Sequence, residues 1–254
     1  MGTACWSGRE SAAHHTERNL MSARHDFFTL IHKGQRKELF AATVVAGTTD
    51  WDDPSSANDF VSLWSRLASM LEAHAAHEHN HVFPLLAEHA PEIVEHVEAA
   101  HDDLEHRLAT LTDTIARTAG HPTEEHGLAV YREVTAFVAL YLLHILDEET
   151  LVMPAIWRSC TGAEINAARL NLQADQSPAG VTRSRRAILP AITDAERTSM
   201  AQAFQRESTS EAFAAFMSDA HQALEPSAWE RLEESLVAFP SCPDHAPSMS
   251  EHGS

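Results

Sequence analysis

The sequence predicts an all-α protein in which four long helices form an up-down-up-down bundle and shorter helices follow. Hydrophobic residues make up 44% of the 254 residues and there are only nine glycines, which favours long helices over short strands and tight turns. Four long segments carry apolar residues at the three- and four-residue spacing of a helix face. Short breaks separate these segments, so consecutive helices are expected to run antiparallel.

The first two predicted helices span residues 19–46 and 56–88. Apolar residues recur along one side of each, and Gly47 ends the first. In the second helix Pro84 lacks a backbone donor, so we expect a kink in its last turns.

The third and fourth predicted helices span residues 91–120 and 123–159. Pro91 suits the first position of a helix, where its missing N–H costs nothing. Pro154 lies late in the fourth helix, in the place that Pro84 holds in the second. These two helices complete the predicted bundle.

Composition divides the chain into four regions. Residues 1–18 show no sustained period and are expected to form a flexible tail, and residues 19–160 hold the bundle. Residues 161–238 contain short polar helical segments, so we expect this extension to pack on the bundle or on a partner subunit. Residues 239–254 are expected to be disordered.

The formal net charge of −19 argues against two classes of partner. Phosphate backbones and anionic lipids repel such a chain, so neither nucleic acid nor a membrane surface is expected. The three cysteines, Cys5, Cys160 and Cys242, form no CxxC pattern, which favours a reducing compartment. Because the start lacks an export signal and no uninterrupted apolar run approaches a membrane span, we expect a cytoplasmic protein.

A histidine motif occurs twice in the chain. The second helix contains His74-x3-Glu78-x3-VFP, and the fourth contains His144-x3-Glu148-x3-VMP. A further histidine lies at nearly the same distance upstream of each motif: His32 precedes the first by 42 residues and His101 the second by 43. Each half of the predicted bundle therefore offers a lone histidine on one helix and a His-x3-Glu pair on the next.

This repeat predicts a metal site inside the bundle. Residues four apart lie on one helix face, so each pair directs an imidazole and a carboxylate to the same point. Burying four imidazoles and two carboxylates without partners would cost more than the ~5–15 kcal/mol net stability of a domain. Metal ions bridged by the two carboxylates would neutralise them.

These segments resemble the hemerythrin-like (HHE cation-binding) family. The segments IHKGQR, HAAHEHNHVFPLL, EAAHDD and HILDEETLVMPAIW match that family's four metal-bearing helices in order and spacing over about residues 20–160, and loosely to about 238. The resemblance implies a hemerythrin-like fold with two iron ions and a bridging oxo or hydroxo group, and it leaves Mn and Zn open. It implies nitrogen ligands at His32, His74, His101 and His144, and bridging carboxylates at Glu78 and Glu148.

The sequence departs from the oxygen-carrying members of that family in two places. Those members have another histidine four residues before or after the third nitrogen ligand, where this chain has Val97 and Glu105. They also place an aspartate five residues after the last histidine, whereas this chain has Glu148 four residues after it. The departures leave more coordination positions open and argue against reversible O2 carriage.

Four further residues are candidates for ligation or for the surroundings of the ions. His81 shares the helix face of His74, and His77 lies at its edge. Glu105 lies one turn from His101 and could supply an oxygen ligand, although a solvated helix face is the simpler interpretation. Tyr141 could hydrogen-bond a bound oxygen species, although packing is favoured.

A ferritin-like site is the structural alternative. Two Glu-x2-His elements, Glu78 with His81 and Glu98 with His101, match the pattern of that class. The ferritin pattern also needs a carboxylate on the first helix, and residues 20–37 contain no glutamate. The nitrogen-rich site is therefore favoured.

Three functions remain open from the sequence. The first is a diiron protein that binds, senses or detoxifies O2, NO or peroxide. The second is an oxidoreductase, a diiron oxidase or oxygenase acting on a small organic substrate, because an unsaturated metal pair activates oxygen species. The third is iron binding or storage. A homodimer is also open, since the extension needs a surface to pack on.

Overall fold

The computed structural model describes residues 25–121 and 123–237, and within them every regular element is helical. The all-α class predicted from the sequence is therefore confirmed. The predicted tails at 1–18 and 239–254 lie outside the described residues.

Four long helices dominate the first part of the chain. Helices α1 and α3 both contact α2 and α4. Shorter helical segments interrupt and follow them. In chain order the elements are α1 (Thr29–Thr48), α2 (Pro54–His77), a first π segment (Glu78–Val82), a 3-10 turn (Phe83–Leu85), α3 (Pro91–Gly120), α4 (Glu124–Asp147), a second π segment (Glu148–Val152), α5 (Met153–Ser159), α6 (Gly162–Asp175), α7 (Pro178–Ile188), a 3-10 turn (Leu189–Ala191), α8 (Asp194–Glu207), α9 (Ser210–Ala223) and α10 (Pro226–Val237).

Local side-chain hydrogen bonds set the starts of the long helices. The Asp26 carboxylate accepts from the backbone N–H groups of Phe28 and Thr29, so α1 begins at Thr29 and the prediction of helix at 25–28 was wrong. Asp53 caps α2 by accepting from the Ser55 N–H, which starts that helix two residues earlier than predicted. Thr123 caps α4 in the same way.

The apolar core is divided into two clusters along the four long helices. The larger cluster contains Trp64, Phe137 and their neighbours, and it includes Leu39, Leu104 and Ile145. The smaller cluster lies around Phe28, Phe83 and Ile156. On α1 the buried His32 lies between Phe28 and Leu39, and on α3 the buried His101 lies between Val97 and Leu104. A buried polar layer therefore separates two apolar regions.

Two of the short helices pack on the four-helix part of the chain. Helix α6 contacts the first π segment and the following turn, and His81 on that segment pairs with Asp175 at 3.1 Å. Helix α7 packs so closely on α1 that a Cβ atom at Gly34 would lie 3.1 Å from the backbone of Ala187. Both contacts lie near the polar layer, since Gly34 is two residues from His32 and the first π segment begins at Glu78.

Residues 192–237 belong to a second compact unit. Its helices α8, α9 and α10 contact one another. Phe216 stacks on Phe204 and Phe213, and Thr198 donates a hydrogen bond to Ser235 at 2.8 Å. Thr193 and Glu196 form a reciprocal cap at the start of α8.

One continuous helical stretch, Glu124–Ser159, is long and apolar enough to cross a membrane by length and composition alone. A core helix of a bundle passes the same test. This stretch carries the buried His144 and Glu148 on one side, and several exposed leucines on another.

Candidate metal centre

The repeated motif places six polar side chains in one buried layer. His32, on the first turn of α1, and Glu148 are fully buried, and Glu78 is 2% exposed. The other three are histidines from α2, α3 and α4. They are also buried or nearly so: His74, His101 and His144.

Each glutamate of the motif begins a π segment. The Phe83 N–H bonds to the Glu78 carbonyl and the Met153 N–H to the Glu148 carbonyl, five residues back in both cases. Pro84 and Pro154 come next in the chain, and proline has no backbone N–H to donate. The regular α-helical hydrogen bonds therefore cannot continue directly after either π segment. The sequence repeat is thus also a repeat of an unusual backbone geometry.

The first group of candidate ligand atoms comes from α1, α2 and both π segments. The Nε2 atoms of His32 and His74 are 3.2 Å apart, and His74 Nε2 is 2.8 Å from Glu78 Oε1. Glu148 Oε2 lies 3.3 Å from His32 Nε2. These side chains offer ligand atoms that all lie within 4.8 Å of one another.

The second group comes from α3, α4 and the same two glutamates. His101 Nε2 is 3.5 Å from Glu78 Oε2 and 3.3 Å from Glu148 Oε1. His144 Nε2 is 3.1 Å from Glu148 Oε1. Each glutamate therefore directs one oxygen to the first group and the other oxygen to the second.

These distances fit a metal site. Ligands at right angles around an ion lie about 3 Å apart when the metal–ligand bonds are about 2.1 Å long. Both Glu78 oxygens lack a hydrogen bond of good geometry from any described residue, although His74 Nε2 is close to one of them. The nitrogens and oxygens thus converge on common points, and leaving such groups buried without partners would cost roughly 2–7 kcal/mol each.

The comparison with protein-family models agrees with this geometry. Residues 24–156, just over half of the chain, match the model of the hemerythrin HHE cation-binding domain. This chain belongs to that family. Comparisons with curated proteins and with solved structures found no significant match.

The acidic groups of the hemerythrin-like site attract protons in the absence of a cation. Burial alone would lower the pKa of His32, but the surrounding carboxylates outweigh it and raise that pKa to about 10. Burial likewise opposes ionisation of Glu148, yet hydrogen bonds from three histidines hold the pKa of Glu148 well below its usual range. The site therefore favours ionised carboxylates balanced by positive charge.

Glu149 supports the first group from outside and was missed in the sequence. Its Oε1 is 3.1 Å from His32 Nδ1, and Arg36 donates to both of its oxygens at 2.6 and 3.1 Å. Burial raises the pKa of Glu149, but His32 and Arg36 lower it to about 2. This carboxylate orients the His32 ring so that Nε2 faces the cluster.

Gln35 is a second buried polar residue that the sequence reasoning missed. It lies three residues after His32 on α1 and is fully buried, and neither of its amide atoms has a hydrogen-bond partner of good geometry in the described chain. The Tyr141 ring lies 5.9 Å from that of His144. Burial and the nearby carboxylates raise the pKa of Tyr141 well above its usual value, against a smaller lowering by Gln35.

The other candidates lie away from the two groups. His81 faces Asp175 on α6, and the His77 ring is 6.5 Å from that of His81. Burial, opposed by Asp175, lowers the pKa of His77. Glu105 is exposed on α3. The structure brings none of these three into the ligand groups.

Proposed function

We propose that this chain is a non-haem diiron protein that binds O2, NO or peroxide. The observation that carries the proposal is the division of each carboxylate between the two groups of ligand atoms. Glu78 directs Oε1 to the first group and Oε2 to the second, and Glu148 directs Oε2 to the first and Oε1 to the second. Two metal ions held by the four histidines and both carboxylates would satisfy every one of these atoms. The packing order α1–α2–α3–α4 supports the up-down-up-down bundle that this centre needs.

Iron suits this set of ligands. Each position would receive two imidazole nitrogens and two carboxylate oxygens, a mixture that iron accepts and that leaves positions for a bridge and an external ligand. Zinc and manganese accept the same donors, so measuring the metal content of the purified protein decides which ion is bound. When bound, the ions supply redox chemistry and a place for an oxygen or nitrogen ligand.

The surroundings favour a small ligand. Most of the candidate ligands are shielded from solvent. Four of them are at most 6% exposed: His32, Glu78, His144 and Glu148. A cavity of about 380 Å³ is lined by residues such as Thr49, Asp59 and Arg66, and none of its lining residues belongs to the metal groups. A buried cluster of this kind suits a diatomic gas or peroxide better than an organic substrate.

Gln35 and Tyr141 are the groups best placed to interact with such a ligand. The Gln35 amide is fully buried and has hydrogen-bonding capacity to spare among the described residues. Tyr141 stays protonated because its pKa is raised, so its hydroxyl can donate. An amide and a phenol can therefore hydrogen-bond a bound oxygen species without adding charge to the site.

The test is to purify the protein in air, measure its metal content and record its visible spectrum with and without azide, NO or peroxide. The proposal predicts two irons per chain and oxo-bridged diferric bands that shift with these ligands. A colourless protein that holds only zinc would contradict it. Following O2 release after peroxide addition then separates the two roles, because turnover indicates detoxification and its absence indicates binding or sensing.

A further inference from the structure

One side of α4 presents an apolar surface to solvent. The structure has ten exposed large hydrophobic residues in its described part, and six of them lie between Leu128 and Leu151. Two more, Phe40 and Val44, lie on α1, which packs beside α4. Leu143 is 62% exposed, an unusual fraction for a leucine near the middle of a long helix. Exposed apolar residues grouped in this way mark an interaction surface.

The surface continues along one face of the helix. Residues 134–146 contain no Asp, Glu, Lys or Arg. With 3.6 residues per turn, five exposed residues of this run fall within about a third of the helix circumference. We call them the α4 stripe: Ala136, Ala139, Leu140, Leu143 and Leu146.

The stripe is complementary to itself in shape. Its two alanines lie towards the amino end of α4 and its three leucines towards the carboxyl end. If two copies of α4 cross antiparallel about a two-fold axis near Leu140, the alanines of one copy face the leucines of the other. Alternation of small and large residues across a contact lets the side chains interdigitate.

The two ends of the stripe are also complementary in charge. Arg132 is exposed one turn before Ala136. The Asp147 side chain is 43% exposed just after Leu146, where it also pairs with His96 of its own chain at 3.1 Å. The same antiparallel crossing brings Arg132 of each copy to the end where the other copy has Asp147. Opposite charges at the rim select that orientation, because a parallel crossing would place like charges together.

We propose that the α4 stripe is the interface of a homodimer with an antiparallel α4–α4 contact. A lipid surface fits less well, because surface-bound helices place Lys and Arg around their apolar face, whereas this chain has a net charge of −19 and an aspartate at the stripe's end. The contact would cover the exposed side of α4 and would not include the buried His144 and Glu148. The dimer does not depend on the proposed ligand chemistry.

The experiment is sedimentation equilibrium of the full chain over a concentration series, with Leu143→Glu as the test variant. Leu170→Glu is the matched control, because Leu170 is a 50% exposed leucine on α6, outside the stripe. We expect the wild type and Leu170→Glu to be dimers and Leu143→Glu to be a monomer with unchanged helical circular dichroism. A monomeric wild type, or a Leu143→Glu variant that remains a folded dimer, would overturn the proposal.

Charge exchange tests the orientation. Arg132→Glu should weaken the dimer at least several-fold, and adding Asp147→Arg should restore it, as only an antiparallel contact allows. A double variant no tighter than Arg132→Glu alone would contradict that geometry. Flotation with neutral phosphatidylcholine vesicles covers the lipid alternative: wild-type protein that floats and a Leu143→Glu variant that does not would show that the stripe binds lipid instead.

Discussion

The two halves of the candidate metal centre share their spacing but differ in their support. In the first half, His32 is held by Glu149 and Arg36, and α1 is backed closely by α7 at Gly34. In the second half, the His101 ring lies 5.1 Å from the ring of Phe83, and His144 Nδ1 has no hydrogen-bond partner among the described residues. The repeat thus sets where the ligand atoms lie, while the neighbouring residues determine how firmly each half is held.

The difference suggests unequal metal positions. A histidine whose second nitrogen is hydrogen-bonded to a carboxylate is fixed in orientation and becomes a stronger ligand. The first position has that arrangement and the second has an apolar neighbour in its place. We therefore expect the second position to lose its metal first.

Removing a shared carboxylate should have the largest effect. Because Glu148 contributes an oxygen to each group, Glu148→Ala should lower bound iron from two per chain to nearly none, and the metal-linked part of the stability should be lost with it. Metal analysis and thermal unfolding measure both effects. Glu105→Ala is the control, since Glu105 is an exposed carboxylate near the site, and it should keep both ions.

Removing one histidine should affect one position. His74 belongs only to the first group and His144 only to the second, so His74→Ala and His144→Ala should each leave about one iron per chain. The diferric bands should disappear in both variants because a single ion has no bridged partner. Full occupancy in either variant would contradict the assignment of that histidine.

The spacing of the motif could identify the six cluster residues, because ligand geometry on a helix follows directly from the residue interval. The same intervals could not show the π segments, since the widened turns at Glu78 and Glu148 depend on packing against other helices. Glu149 was missed for a related reason. Its partner Arg36 is 113 residues away. One signal was present, since Glu149 lies five residues after His144, where the oxygen-carrying members of the family have an aspartate.

Some missed features did leave a signal in the sequence. Gln35 lies three residues after His32, on the face that the rest of α1 fills with apolar side chains, so a buried polar role could have been predicted. The only sequence signal for the close approach of α7 to α1 was Gly34. That signal is not specific, because glycine occurs in helices for other reasons as well. The end of α2 was predicted as a proline kink, and the structure shows a π segment followed by a 3-10 turn.

Removing the support of His32 should weaken the first position alone. Glu149→Gln keeps the size of the side chain but removes its charge, so metal affinity there should fall roughly 10–100-fold. The second position should be unchanged, which would bring the two affinities closer together. Metal titration followed by calorimetry resolves them. Glu38→Gln is the control because that carboxylate, also a glutamate, pairs with the exposed Lys37 on α1, and equal losses in the two variants would refute a specific role for Glu149.

The one prediction that changes no residue is a pH dependence of the metal-free protein. The pKa of His32 rises from its ordinary 6.5 to about 10 in the fold, so its proton stabilises the metal-free fold fully below pH 6.5 and this stabilisation is lost as pH rises towards 10. Metal-loaded protein should lack this loss, since the metal replaces the proton. Unfolding temperatures of both forms over this pH range test the prediction, and a metal-free form that gains stability over it would contradict it.

The most direct test of two bridged metal positions is anomalous diffraction at the iron edge from a crystal of protein purified in air. The proposed centre predicts two iron peaks about 3.5–4 Å apart, lying between Glu78 and Glu148, with the histidines of each group around one peak. A single peak, or iron bound outside these six side chains, would contradict it.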